Sequence, residues 1–196
     1  DDNVTPYTVY QDQGSSGKAT VRKFYKGKWV YVGSDAGFSD DTAWYTSIAI
    51  RNNGVPLVVY QDKATGEKAT VKKFSAGSWR NVGSPGFSAG EASYTSIVVD
   101  NESIPYVAYR DNGNGDRVTV KKFKNGSWRN VGQPGFSAGE VWNTSIVIGD
   151  RNIPYVVYRD GVNGGKATVK KFIGGSWRNV GPPGFSTGGA LGISMA

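Results

Sequence analysis

The chain of 196 residues contains no cysteine and no histidine. The first absence excludes disulfides and thiol nucleophiles, and the second removes the commonest metal ligand and general base. Together they weigh against catalysis and imply a protein without a cofactor or bound metal. No apolar run is long enough for a membrane helix, so membrane insertion is not expected. No secretory leader precedes Asp1-Asp2, which predicts a processed or trimmed polypeptide. Nor does any stretch show an apolar period near 3.6, which excludes helical solenoids. What is abundant is glycine, at 28 residues, and aromatics, at 13%, a composition of strands and turns.

Trp29, Trp79, Trp128 and Trp177 recur at spacings of 50, 49 and 49 residues. The string SWRNVG stands at residues 78–83, 127–132 and 176–181, with KWVYVG at 28–33. PGFS stands at 85–88, 134–137 and 183–186, with AGFS at 36–39. The chain is therefore a single domain, 1–196, of four repeats near 1–45, 46–94, 95–143 and 144–192. A repeat of this length is one supersecondary unit that buries its apolar faces by stacking on its neighbours.

Each repeat reads as four short strands, shown by the third: residues 95–99, 104–110, 117–123 and 127–131. β-Branched and aromatic residues fill the strands, and Asn, Gly, Asp and Ser fill the gaps. Pro6, Pro56, Pro105 and Pro154 recur at the start of the second strand, where a missing N–H is tolerated. Four-stranded antiparallel units at this period resemble the blades of a β-propeller, over essentially the whole chain. There is no Trp-Asp ending as in WD40 blades, no kelch double glycine at the matching place, and no sialidase-type Asp box in the third turn, residues 75–78. In pattern the chain is similar to propeller lectins and secreted bacterial repeat proteins, which implies a secreted or cell-surface location.

The first repeat lacks an inner strand, and residues 193–196 align with 144–147 as a spare one. The expected fold is thus an all-β, four-bladed β-propeller, closed where the C-terminal strand pairs with the first blade. The alternative is half of an eight-bladed ring formed by two chains; the single-chain ring predicts a monomer.

The net charge of +7 gathers partly in one strand per repeat, at Arg22-Lys23, Lys72-Lys73, Lys121-Lys122 and Lys170-Lys171. Neighbouring strand residues point to opposite faces, so these pairs suit solvated flanks better than a phosphate row. No specific nucleic-acid partner is expected.

Alternating strand directions put the loops after the second and fourth strands on one side, and long loops on a rigid scaffold carry function. There the second strand ends in Asp12, Asp62, Asp111 and Asp160, preceded by Gln11, Gln61, Arg110 and Arg159. The crossovers add Glu91, Glu140, Trp44, Tyr45, Tyr94 and Trp142. Aromatic faces beside Arg and carboxylates suit a sugar ring, whose C–H side stacks while its hydroxyls take charged hydrogen bonds. The expected function is non-enzymatic glycan binding, lectin-like, at repeated shallow sites built from Trp44, Tyr94, Trp142, Arg110, Asp111, Arg159, Asp160, Glu91 and Glu140. Repetition would add avidity on a multivalent glycan. A protein-interaction or structural repeat module, or an engineered consensus-like propeller without a ligand, is the alternative.

Competing structural roles are equally definite. Strand-end aspartates cap the following turn, and the Trp29 and Phe38 series, recurring with the fold, pack between blades. Trp44 and Trp142 differ, because their counterparts are Ser93 and Leu191. The calcium-like run 111–116 lacks a bidentate Glu and reads as a glycine-rich turn. Asn3, Asn101, Asn125 and Asn143 are acceptor sequons in a eukaryotic secretory setting.

Overall fold

The structure, a computed structural model, describes residues 5–196. Residues 1–4, with Asn3 and the start of the first repeat, lie outside the described residues. The first unit holds β1 (Tyr7–Asp12), β2 (Lys18–Tyr25) and β3 (Lys28–Tyr31). The second holds β4 (Ala43–Ile50), β5 (Pro56–Asp62), β6 (Lys68–Ser75) and β7 (Ser78–Asn81). The third holds β8 (Ala92–Val99), β9 (Pro105–Asp111), β10 (Arg117–Lys124) and β11 (Ser127–Asn130). The fourth holds β12 (Val141–Gly149), β13 (Ile153–Asp160), β14 (Lys166–Ile173) and β15 (Ser176–Asn179). Each unit is an antiparallel meander, so consecutive strands are hydrogen-bonded neighbours.

The apolar cores lie between the sheets. Along β5, Val58 and Tyr60 join a cluster with Ala19, Val21 and Val32 of the first unit. Leu57 and Val59 face the other way, joining Val107 and Tyr109 of the third. This is the period of two expected of a strand buried on both sides. Tyr60, Tyr109 and Tyr158 are the largest side chains fully enclosed this way.

Two repeated strings are explained by what pins one unit to the next. Trp79, Trp128 and Trp177 stack on Phe38, Phe87 and Phe136 of the preceding unit, with centroids 4.0, 4.3 and 4.3 Å apart. Their indole N–H groups donate to the carbonyls of Val32, Val82 and Val131 at 2.7–2.8 Å. The serine of each PGFS-type string accepts a strand N–H and donates to the crossover carbonyl two residues on: Ser88 Oγ accepts from the Ala69 N–H (3.0 Å) and donates to the Gly90 carbonyl (2.6 Å). Thr20, Thr70, Thr119 and Thr168 accept the N–H of the glycine before each phenylalanine at 2.8–3.0 Å.

Two expectations are corrected. Residues 193–196 do not complete the first sheet, which has three strands among the described residues. They run instead beside β12, where the Met195 N–H donates to Ser145 Oγ. The tail thus follows the track of a further unit and does not return to β1. The basic pairs are not wholly solvated either: Lys72 is buried and binds Asp40 of the preceding crossover at 2.9 Å. Lys121 and Lys170 are held below the usual ammonium range by burial.

Candidate functional site

The 3-10 turns after β5 and β9, the turn after β13 and the crossovers share one side. The N–H groups of Lys63, Asn112 and Gly161 donate to the carbonyls of Thr42, Glu91 and Glu140 at 3.0–3.1 Å. Ala92 and Val141 donate back to Glu67 and Asp116 of the preceding unit at 2.9 and 3.0 Å. The loop face is therefore a laced surface. The opposite side carries tight turns such as the one closed by Arg51 and Val55.

Trp44, Tyr94 and Trp142 lie within the inner strands, whereas the sequence places them in the crossover. A bulge explains the difference: register breaks between Trp44 and Ser47, Ser93 and Ser96, and Trp142 and Ser145. Tyr45, Tyr94 and Asn143 occupy it with φ of +50 to +52°, a conformation unusual for tyrosine. The bulge draws the Tyr45 and Tyr94 rings to 4.8 Å. Partial burial, then the neighbouring Tyr94, raises the Tyr45 phenol above its usual value.

In the fourth unit, Trp142 lies opposite Arg159, whose guanidinium carbon is 4.9 Å from the indole centroid. Gly161 separates this pair from Glu140: a Cβ built on it would lie 3.1 Å from Glu140 Cγ and 3.3 Å from Trp142 Cζ3. Glu140 is exposed. The Arg159 side chain makes no hydrogen bond or ion pair among the described residues, and its Nε is buried without a partner. In the third unit the equivalent Arg110 faces Ser93 and is bound by Asp116 at 3.0 Å. Gly165 takes the place of Asp116 in the fourth unit, and a Cβ there would come within 2.8 Å of Arg159. Two differences between the repeats, Gly165 for Asp116 and Trp142 for Ser93, thus leave Arg159 without a carboxylate and opposite a tryptophan.

The strand-end aspartates stand behind this surface. Asp12 and Asp62 accept the N–H of Gly14 and Ala64 at 3.0 and 3.1 Å. Burial raises Asp62 above the usual carboxylate range. Asp111 is buried and accepts Asn114 Nδ2 at 2.8 Å. Asp160, also buried, accepts Thr168 Oγ1 at 2.7 Å and Asn163 Nδ2 at 2.9 Å. Glu91 is exposed on the third unit, apart from the Trp142 pair in sequence and sheet. Trp44 faces Gln61 across the ladder, with no arginine opposite. A separate concavity of about 360 Å³, which no sequence signal marks, lies at the first seam among Gly33, Asp35, Phe38, Gly77 and Trp79.

No family model and no curated protein matches the chain. Solved structures do. AofleA from Arthrobotrys oligospora aligns with TM-score 0.59 at 14% identity, over 90% of this chain and 56% of its own. The Hadza microbial sialidase Hz136 gives 0.57 at 10%, over 85% and 40%. An endo-1,4-beta-xylanase from Bacteroides thetaiotaomicron gives 0.57 at 12%, over 92% and 69%. The fold is that of a β-propeller. The chain spans about half the length of AofleA and less of the sialidase. Each four-stranded sheet is a blade, and the tryptophan–arginine pair stands across β12 and β13, the first two strands of the fourth blade.

Proposed function

We propose that the chain is a non-enzymatic carbohydrate-binding propeller whose principal site is Trp142, Arg159 and Glu140. The observation that carries this is an arginine free of protein partners, stacked on a tryptophan that the fold does not require at that position. Sugar C–H groups pack on the indole, and hydroxyls bridge the guanidinium donors and the exposed carboxylate. Trp44 with Tyr45 and Tyr94 forms a weaker second subsite, together with Arg110 and Glu91 of the third blade. Asp111 and Asp160 hold the loops from behind. Asp111 and Asp160 are buried behind the surface, where the Oδ2 of each accepts from side-chain donors, which favours a structural role for both. A secreted or cell-surface location accords with a glycan ligand, and no helix is long and apolar enough to cross a membrane among the described residues.

The test is an array of neutral and acidic glycans. Binding is expected for the parent chain, and at least a tenfold loss, about 1.4 kcal/mol, for Trp142→Ala at unchanged melting temperature. Silence across the array, or release of free sugar from a bound glycan, would contradict the proposal.

A further inference from the structure

We infer that the two end faces of the four-sheet arc are complementary halves of one junction, and that a second copy of this chain covers them. The inference is independent of the ligand site. Three internal junctions show what such a contact is made of: a tryptophan stacked on the previous blade's phenylalanine and bonded to its valine carbonyl. Each end of the arc presents one half of that contact uncovered. Trp29 is 46% exposed at the first blade. At the fourth blade Phe185 is 55% and Val180 38% exposed, against 4–6% for Val32, Val82 and Val131. A Cβ on Gly83 or Gly132 would lie 3.1–3.2 Å from the incoming indole, whereas one on Gly181 would meet nothing within 4 Å.

The strand edges repeat the pattern. Among the described residues β1 pairs with β2 alone, and its six residues are half-buried where β5 is buried throughout. The Met195 N–H takes Ser145 Oγ at 3.3 Å, as Ile97 takes Ser47 and Ile146 takes Ser96 at 3.2 Å. Residues 193–196 therefore lie where the inner strand of a following blade begins. By equivalence with the β12–β13 ladder they would place Ser194 opposite Val9 and Ala196 opposite Tyr7 of the next β1.

The chain does not meet its own end. Strand packing runs from β1 to β4, β8 and β12, and no comparable contact joins the fourth sheet to the first among the described residues. A second copy of this chain brings a tryptophan knob to one face and a phenylalanine–valine socket to the other. Two copies joined head to tail at both ends close a ring of eight sheets with neither face left over.

Sedimentation equilibrium of the chain at micromolar concentration is expected to give twice 21.0 kDa. Trp29→Ala and Phe185→Ala, each at an exposed position, are expected to raise the dissociation constant at least ~30-fold with circular dichroism unchanged. Mixing the two variants restores a pair through the one junction that keeps both rings, and failure to do so would overturn a head-to-tail contact. Trp79→Ala, the same change at an internal junction, lowers the melting temperature and leaves the pair intact. A mass of 21.0 kDa throughout would overturn the inference, whether Trp29 emission then reports a buried indole or an exposed one. A ladder of masses beyond the pair would overturn the closed ring.

Discussion

Asp116 and Gly165 hold equivalent positions in successive blades, and their difference decides whether the nearby arginine has a carboxylate partner. With a carboxylate there, Arg110 is neutralised; with glycine, Arg159 reaches the Trp142 ring. Gly165→Asp is therefore expected to draw Arg159 away and weaken glycan binding about tenfold. Asp116 already sits at φ +58°, so aspartate tolerates the φ of +73° at Gly165, and the Arg159 side chain, within 2.8 Å of the new Cβ, must move aside. Calorimetric titration of the variant checks this, and unchanged affinity would remove Arg159 from the site. The difference between Trp142 and its counterparts Ser93 and Leu191 makes that tryptophan conspicuous in the sequence. The release of Arg159 was not legible there, because it depends on a contact across a hairpin from a residue that is merely one more turn glycine.

At the scale of the element, the junction between blades carries the stability. Trp79→Ala removes a stacked aromatic and its indole bond and is expected to cost ~3–5 kcal/mol in chemical denaturation. Gly132 shows how tight the seam is: a Cβ there would lie 2.7 Å from Phe172 Cε2. Gly132→Ala is expected to cost ~1–3 kcal/mol more than Gly126→Ala. Both alanines carry positive-φ strain, at φ +74° and +78°, but the second has nothing within 4 Å. Equal melting temperatures for the two would contradict the tight seam. The strands, the proline positions and the packing role of the tryptophan and phenylalanine series follow directly from alternation and repeat spacing. The true start of the inner strands does not, since their bulge puts Tyr45 and Tyr94 at positive φ, a state no residue preference announces. Ring closure is illegible for a related reason: alignment shows that residues 193–196 resemble an inner strand, but not whose sheet they would enter.

For the whole molecule, three phenols buried between blades set the alkaline limit. Burial, reinforced by Asp62, Asp111 and Asp160, raises Tyr60, Tyr109 and Tyr158 far above 10.0. Above that pH the unfolded chain releases protons that the folded chain keeps. Their contribution is fully present below pH 10 and is lost as pH rises, by up to ~4 kcal/mol per pH unit for the three together. Lys121 and Lys170, held below 10.5, act in the opposite sense only up to that value. Urea midpoints at about pH 10.5 and about pH 11.5 therefore report on the buried tyrosines, to which Tyr106, pushed up to about 12 by burial, adds in the same sense. A pronounced fall is expected, and equal midpoints would show that the phenols are not sealed between the sheets.

The most direct test of the glycan-binding account follows the six indole N–H resonances while a glycan identified by the array is titrated in. Trp79, Trp128 and Trp177, whose N–H groups are held by Val32, Val82 and Val131, are expected to stay in place while Trp142 moves first and Trp44 follows. Movement confined to the seam tryptophans, with Trp142 unmoved, would put the ligand between the blades and contradict the account.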